Sequence, residues 1–260
     1  MGDDSRAKLI DTHCHLDFPE FDLDRDDVIR RAKDTGIGYI INIGSSLEGS
    51  RQAVALSKQY TFIYATVGIH PHEADKVNEE IYAQLKHLAK ENKVVAIGEI
   101  GLDYYKNYSL ISNQKKLFKT LAELAKDLGL PLIIHCRQAE EDVLEILKPL
   151  LPHKIVLHCF SGNTDFLQAC LDLGFFISFT LNITYKKAQN LRTLVKIAPL
   201  ERIFLETDAP FLPPESLRGR RNEPAYVKIL AEEIARIKDI NFEEVAAITT
   251  ANAQKFFNLR

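Results

Sequence analysis

The sequence lacks any long hydrophobic run: no stretch of about 18 consecutive apolar residues is present. Its first residues, Met1 to Arg6, also lack the basic and then apolar order of a secretory signal. These two absences argue against a membrane-spanning helix and against export. They predict a cytoplasmic protein that has no membrane partner.

Cysteine is scarce, with 4 residues in a chain of 260 and no Cys-X-X-Cys pair. This scarcity excludes a small disulfide-stapled scaffold and predicts reduced thiols. Three of the four cysteines, Cys14, Cys136 and Cys159, adjoin histidines. Because neighbouring side chains on a strand point to opposite faces, we expect these thiols to pack inside the protein and not to act as metal ligands.

A strong excess of either charge is also missing, since 33 basic and 36 acidic residues leave a formal net charge of −3. The molecule as a whole therefore does not bind nucleic acid by bulk electrostatics. A phosphate-containing substrate stays possible, because bound divalent cations and local groups of Arg and Lys can reverse the sign of the potential inside one cleft.

What the sequence does contain is a regular alternation of short apolar runs and longer stretches with helical periodicity. The stretch from 112 to 128 is an example of the latter, and Gly129 follows it as a helix-ending glycine would. The apolar runs are the predicted strands, and they lie at 8–10, 39–43, 62–67, 94–97, 131–134, 154–157, 175–179 and 203–205.

These eight units predict the fold. Strands that are apolar on both faces and separated by helices indicate a parallel sheet, and eight of them in about 250 residues is the size of a closed barrel. No GxGxxG follows the first strand, and no linker rich in Pro, Gly or Ser divides the chain. We therefore predict one α/β domain over residues 1–260, a (β/α)8 TIM barrel with extra C-terminal helices near 225–237 and 242–256.

Histidines and acidic residues follow several of the predicted strands. The carboxyl ends of barrel strands meet at one cavity mouth, so these side chains should converge although they are distant in sequence. Two histidines separated by one residue on a strand point the same way, and imidazole and carboxylate ligands with an open water position are typical of a catalytic divalent metal. The pattern predicts a metal site formed by His13, His15, Glu99, His135, His158 and Asp208.

The segments that carry these residues resemble the TatD-type metal-dependent deoxyribonucleases, a branch of the amidohydrolase superfamily. The resemblance covers nearly the whole chain. Its motifs are Asp11-Thr12-His13-Cys14-His15-Leu16-Asp17, Gly68-Ile69-His70-Pro71-His72, Gly98-Glu99-Ile100-Gly101-Leu102-Asp103-Tyr104-Tyr105, His135-Cys136-Arg137, His158-Cys159-Phe160-Ser161-Gly162, Glu206-Thr207-Asp208-Ala209-Pro210 and Arg221-Asn222-Glu223-Pro224.

The resemblance implies two divalent metal ions. His13 and His15 would bind one ion, which Asp208 completes; His135 and His158 would bind the other. Glu99 would bridge the two, so that no carbamylated lysine is required. The sequence does not choose among Zn, Mn, Mg, Ni and Co, because mixed imidazole and carboxylate sites accept several of them.

The activity implied by the resemblance is that of a deoxyribonuclease that hydrolyses DNA phosphodiester bonds as an exonuclease at single-stranded or damaged ends. We expect no obligate protein partner. Two dications can hold a hydroxide between them and polarise a phosphoryl oxygen. Asp208 would act as the general base, with a helix N-cap as its alternative role. Two other functions stay open: a binuclear amidohydrolase for a small amide, lactone or phosphoester, and a non-catalytic barrel that metals stabilise.

Four further residues are predicted to contact substrate. His70 would reach a phosphate or the leaving group, unless it is a loop histidine shaped by Pro71. Arg137 would clamp a phosphate, unless it forms a plain salt bridge. Tyr104, with Tyr105 beside it, would stack on unpaired bases, unless both rings pack.

Asn222 is the fourth predicted contact, as a donor on a loop near the mouth. It follows a basic run from Arg218 to Arg221, which can be either a solvated loop or a surface for a DNA strand. His72 and Lys106 complete the polar side chains that we expect to border the mouth.

Overall fold

The computed structural model describes residues 8–260, so the argument about a secretory signal falls outside the described residues. The strands are β1 Leu9–Cys14, β2 Ile37–Asn42, β3 Ile63–Val67, β4 Val94–Asp103, β5 Leu132–Arg137, β6 Ile155–Leu157, β7 Phe176–Phe179 and β8 Ile203–Leu205. The helices are α1 Arg25–Asp34, α2 Leu47–Gln59, α3 Glu79–Leu88, α4 Ile111–Leu128, α5 Glu140–Leu147, α6 Thr164–Asp172, α7 Gln189–Ile197, α8 Val227–Lys238 and α9 Phe242–Phe257.

The eight strands form one sheet in which each strand neighbours the next in sequence, from β1 to β8. The strands are parallel and helices lie between them, so the sheet is a nearly closed (β/α)8 barrel, as predicted. Strands β1 and β4 are buried along their whole length, which explains their continuous apolar character. None of the helices within residues 8–260 combines the length and apolar composition needed to cross a membrane.

The contacts within the chain divide it into two compact units. One comprises the described residues up to Ile41 together with Ser178–Arg260, and the other comprises Asn42–Ile177. The predicted single domain over residues 1–260 remains a prediction.

In the first unit, the two C-terminal helices cover strands β1 and β8. Three aromatic rings form the centre of this packing: the Phe204 ring centroid lies 5.1 Å from that of Phe256 and 5.5 Å from that of Phe257. The Asn252 amide donates to the carbonyls of Leu200 and Ile203, which fixes α9 to the start of β8. The extra helices α8 and α9 are therefore confirmed, within two residues of their predicted starts.

In the second unit, α4 follows the predicted pattern. Its buried residues Leu117, Leu121 and Leu124 repeat every three or four positions and so lie on one face. The helix ends at Gly129, which has φ 67° in the left-handed conformation that glycine adopts without steric cost.

Strand β4 is longer than predicted. The apolar run that predicted it stops at Ile97, before Gly98 and Glu99, but pairing with β5 resumes at Ile100 and continues to Asp103. The register shifts between Ile97 and Ile100, a bulge of the kind that redirects side chains beside functional sites. Glu99 therefore lies within the strand and not after it.

Gly101 of β4 is a position where only glycine fits. Its φ is 144°, and a Cβ placed there would collide with the His135 carbonyl oxygen and lie 2.9 Å from the His135 carbonyl carbon. We expect Gly101→Ala to lower the free energy of unfolding by about 2 kcal/mol or more, because backbone strain and overpacking add. Urea unfolding measures this change.

A matched control exists at Gly129, which also has a positive φ but has no atom within 4 Å of an added Cβ. Gly129→Ala should cost about 1 kcal/mol from backbone strain alone. Equal losses for the two variants would show that the close approach of β4 and β5 at Gly101 is unimportant.

Candidate metal centre

The first group of predicted ligands lies in the first unit, where β1 meets the segment after β8. Because β1 is extended, His13 and His15 present their rings to the same side, and their Nε2 atoms lie 3.3 Å apart. The Oδ1 atom of Asp208 lies 3.7 Å from His13 Nε2 and 3.6 Å from His15 Nε2. We call these three residues the aspartate cluster.

The backbone around Asp208 is held on both sides. Its N–H donates to the His13 carbonyl at 2.8 Å, and the His15 N–H donates to the Ala209 carbonyl at 2.7 Å. Asp208 itself has φ 56°, a conformation that is uncommon for residues other than glycine and that concentrates at functional sites. The segment after β8 is therefore built to place this carboxylate beside the two imidazoles.

Two buried polar side chains hold the residue before Asp208. The Asp11 carboxylate accepts from the Thr207 N–H at 2.9 Å and from the Thr207 hydroxyl at 2.6 Å. Burial, only partly offset by these hydrogen bonds, raises the pKa of Asp11 to about 8. Asn222 is fully buried, and its amide donates to the carbonyls of Thr207 and Phe211.

The sequence predicts that Asn222 donates to substrate, whereas in the structure its amide donates to the protein backbone. Its amide N–H groups face backbone carbonyls, and its Oδ1 accepts from the Glu223 N–H. The structure places it under the Asp208 segment as a support. Arg221 beside it is paired with Asp24 at 2.7 Å and with Glu223 at 3.3 Å, which favours a structural role over DNA contact for that part of the basic run.

Glu206 is a buried acid that is not among the predicted site residues. Its Oε2 accepts from the Ser178 hydroxyl at 2.6 Å and lies 4.0 Å from His13 Nδ1. At this distance the carboxylate faces the second ring nitrogen of a proposed ligand histidine without a direct hydrogen bond. The signal was present in the sequence, because Glu206 and Asp208 are two residues apart at the end of β8.

The second group of predicted ligands lies in the second unit, on β4, on β5 and directly after β6. The Glu99 Oε1 atom lies 2.8 Å from His135 Nδ1 and 2.7 Å from His158 Nε2, and these two nitrogens are 3.3 Å apart. We call Glu99, His135 and His158 the glutamate cluster. Burial raises the pKa of Glu99, but the neighbouring His158 and His70, with hydrogen bonds from the rings, outweigh it and hold the pKa well below its usual range.

His70 lies against the glutamate cluster, with its Nε2 3.5 Å from Glu99 Oε1. Burial lowers the pKa of His70 to about 3, so the ring is neutral at physiological pH. Its Nδ1 accepts from the His72 N–H at 3.2 Å, which leaves the ring proton on Nε2. His70 thus offers one N–H donor beside Glu99, consistent with a contact to a substrate oxygen.

Asp103 and His72 lie behind His135, an arrangement that the sequence pattern does not predict. Asp103 Oδ2 lies 3.3 Å from His135 Nε2 and 2.8 Å from His72 Nε2. Burial raises the pKa of Asp103, but hydrogen bonds from His135, the Lys106 N–H and His72 lower it by more. The net pKa lies below the usual value, so the carboxylate stays ionised. Asp103 is therefore the carboxylate that orients the ligand ring from its far side.

The donors in both clusters suit a divalent metal ion. Two ligand atoms that each lie about 2.0–2.1 Å from a tetrahedral ion are separated by about 3.3 Å. The ring nitrogens of His13 and His15 and those of His135 and His158 have that separation. Imidazole nitrogen with carboxylate oxygen is a donor set typical of Zn, Mn, Ni and Co sites.

Tyr104 and Tyr105, both predicted to stack on bases, have different surroundings. The Tyr104 hydroxyl donates to Asp142 at 2.6 Å, and Asp142 also accepts from Lys115 at 2.7 Å. The Tyr104 hydroxyl thus binds another side chain of the protein, whereas Tyr105 is 53% exposed. The Arg137 guanidinium lies 4.1 Å from the centre of the Tyr105 ring. No ion pair of Arg137 is found among residues 8–260.

Comparison with known proteins identifies relatives over almost the whole length. The family model described as TatD related DNase matches residues 10–258. The chain is 42% identical to the uncharacterized metal-dependent hydrolase YabD of Bacillus subtilis, with 96% of this chain and 99% of the relative covered. It is 39% identical to the 3′-5′ ssDNA/RNA exonuclease TatD of Erwinia tasmaniensis, with 96% and 100% covered.

A solved structure agrees with these matches. The TatD homolog YjjV of Escherichia coli superposes with a TM-score of 0.92 at 32% identity, and the alignment covers 97% of this chain and 98% of that one. More distant structures, such as an organophosphorus hydrolase of Deinococcus radiodurans with a TM-score of 0.67 at 15% identity, share the fold alone. The chain therefore belongs to the TatD-related DNase family, and it is a metal-dependent hydrolase that acts on ester bonds.

Proposed function

We propose that the protein is a divalent-metal-dependent deoxyribonuclease that digests DNA as an exonuclease from single-stranded or damaged ends. The observation that carries the proposal is the pair of clusters, each with two ring nitrogens 3.3 Å apart beside a carboxylate. The 39% identity to a protein named as a 3′-5′ ssDNA/RNA exonuclease supports nucleic acid as the substrate.

Two ions are part of the proposal. His13, His15 and Asp208 would hold one ion and His135 and His158 the other, with Glu99 shared as the family resemblance implies. When bound, a pair of divalent ions lowers the pKa of water and neutralises charge on a phosphoryl group. This chemistry suits a phosphodiester, whose hydrolysis places negative charge on the attacked phosphate and on the leaving oxygen.

The side chains of the protein supply proton transfer and orientation. Asp208 has a side chain that is 15% exposed and a fixed backbone, so it can accept a proton from an attacking water as the general base. His70, with its proton on Nε2, donates to a phosphate oxygen or to the leaving group. Arg137 reaches solvent beside His135 and binds a phosphate of the substrate strand.

DNA substrates that differ in their ends distinguish an exonuclease from the alternative functions. The metal-loaded protein is incubated with a single strand labelled at either end, with blunt duplex and with circular single-stranded DNA. The proposal predicts release of mononucleotides from the linear single strand, slower digestion of the duplex and an intact circle.

Nicking of the circle would contradict the exonuclease assignment. Failure to cleave any DNA, together with turnover of a panel of small amides and lactones, would replace the nuclease with a binuclear amidohydrolase.

A further inference from the structure

The loop after β4 exposes apolar surface beside the glutamate cluster. Among residues 8–260, seven large hydrophobic side chains are exposed, and four of them lie at positions 105, 108, 110 and 111. Tyr108 is 65% exposed, more than Tyr105 at 53%. Such a concentration of exposed apolar side chains in one segment is typical of a binding surface. We call residues 104–110 the tyrosine loop.

Positive charge accompanies these rings. The Arg137 guanidinium covers the Tyr105 ring at 4.1 Å, and the Lys106 ammonium lies 5.6 Å from the Tyr105 ring centre and 6.0 Å from that of Tyr108. One face of Tyr105 is thus taken by Arg137, which the ring holds in place. Tyr108 is the ring left with the larger exposed area.

The tyrosine loop is exposed, but hydrogen bonds to Asp103 and Gln114 hold its backbone. Asp103 Oδ1 accepts from the N–H groups of Tyr105 and Lys106, both at 2.9 Å. The Gln114 amide, which is fully buried, donates to the carbonyls of Asp103 and Ser109 and so fastens both ends of the loop. A rigid aromatic surface loses little conformational entropy when it binds a ligand.

The same bonds fix the loop to the glutamate cluster. Asp103 binds the loop backbone through one carboxylate oxygen and lies 3.3 Å from His135 Nε2 through the other. The Tyr108 ring centroid lies 4.8 Å from that of His72, which in turn bonds to Asp103. Tyr108 is therefore held at a set distance from a proposed metal ligand.

We propose that Tyr108 stacks on an unpaired base of a single DNA strand, while the Tyr105 ring positions Arg137 on a phosphate of that strand. The cations beside the rings match the negative charge of the strand, and His72 and Asp103 connect the rings to His135 of the glutamate cluster. Bases within a duplex are already stacked and paired, so this contact selects single-stranded substrate. The inference rests on the proposed function, since it assigns a substrate subsite to the same centre.

Binding measured without cleavage tests this inference. In an Asp208→Asn background, the metal-loaded protein is titrated with a fluorescein-labelled oligodeoxythymidine and with an abasic oligonucleotide of equal length, and anisotropy gives the affinities. Tyr108→Ala should weaken binding of the oligodeoxythymidine about fivefold or more and leave binding of the abasic strand unchanged. Tyr108→Phe and Tyr108→Trp keep a ring face and should retain the affinity.

The matched control is Tyr82→Ala, which removes a partly exposed tyrosine from α3 and should leave both affinities unchanged. Equal affinity of Tyr108→Ala and its parent for the oligodeoxythymidine would overturn the inference. Equal weakening for the abasic strand, or no binding of single-stranded DNA by the parent, would also overturn it.

The proposed function can fail separately. If the protein with Asp208 intact cleaves neither DNA nor the base-free diester bis(p-nitrophenyl) phosphate, the nuclease proposal is lost. A base-dependent loss of binding in Tyr108→Ala would then still support the stacking surface. Conversely, cleavage of DNA with unaltered binding by Tyr108→Ala would keep the nuclease and remove the subsite.

Discussion

Replacing Asp208 with asparagine should reduce the hydrolysis of single-stranded DNA at least about 100-fold, because the variant keeps the size of the side chain but loses the group that accepts the proton from water. The loss should appear in kcat more than in KM, since Asp208 acts on the attacking water and not on the bases of the strand. Single-turnover digestion of an end-labelled oligonucleotide at saturating metal measures it.

Two controls distinguish a loss of catalysis in Asp208→Asn from a loss of folded protein. Lys86→Ala changes an exposed side chain on α3 and should leave the rate as it is. With metal removed from both proteins, Asp208→Asn should unfold at a urea concentration close to that of its parent, because asparagine has nearly the size and shape of aspartate. Activity within a few-fold of the parent would exclude Asp208 as the general base.

Removal of divalent metal should abolish the ester hydrolysis and lower the stability of the protein. Each cluster holds two imidazoles and a carboxylate whose donor atoms converge on one point, and an ion that binds only the folded state stabilises it by about 2.7 kcal/mol at 100 times its Kd. Chelation followed by dialysis should therefore reduce DNA cleavage to background and lower the Tm, and adding back Zn or Mn should restore both.

The ion itself provides the control for this experiment. Calcium prefers six to eight oxygen ligands, so it should restore the Tm and the activity poorly compared with Zn or Mn. A chelated protein that keeps its full activity, with metal analysis showing less than one ion per ten chains, would contradict a metal-dependent mechanism.

The positions of the proposed ligands could be predicted because they depend on a simple geometric rule. Parallel barrel strands end at the same mouth, and residues two apart on a strand point the same way. His13 and His15 follow from that rule, as does the approach of His135 to His158 at 3.3 Å. Strand ends are less certain, because Gly98 and Glu99 interrupt the apolar run although pairing continues to Asp103.

Loop residues could not be assigned in the same way. Tyr104 and Tyr105 are neighbours of the same type, yet one donates to Asp142 and the other is exposed beside Arg137. Which of them faces solvent depends on the loop backbone that Asp103 and its hydrogen bonds impose, and periodicity carries no information about that conformation.

Asn222 illustrates the same limit over a longer range. The residue belongs to one of the family motifs and lies near Asp208. Its amide nevertheless donates to the Thr207 carbonyl at 2.8 Å, 15 residues earlier in the chain. A polar residue near a site either touches substrate or supports a residue that does. Only the partner of the side chain distinguishes these roles, and the partner is set by tertiary structure.

The proposed function requires that each cluster hold one divalent ion. Anomalous diffraction at the metal absorption edge, on crystals of protein purified with its native metal, tests it most directly. We expect two peaks per chain, one bound by His13, His15 and Asp208 and the other by His135 and His158. The absence of an anomalous peak from both clusters, or a peak bound by other residues, would contradict this assignment.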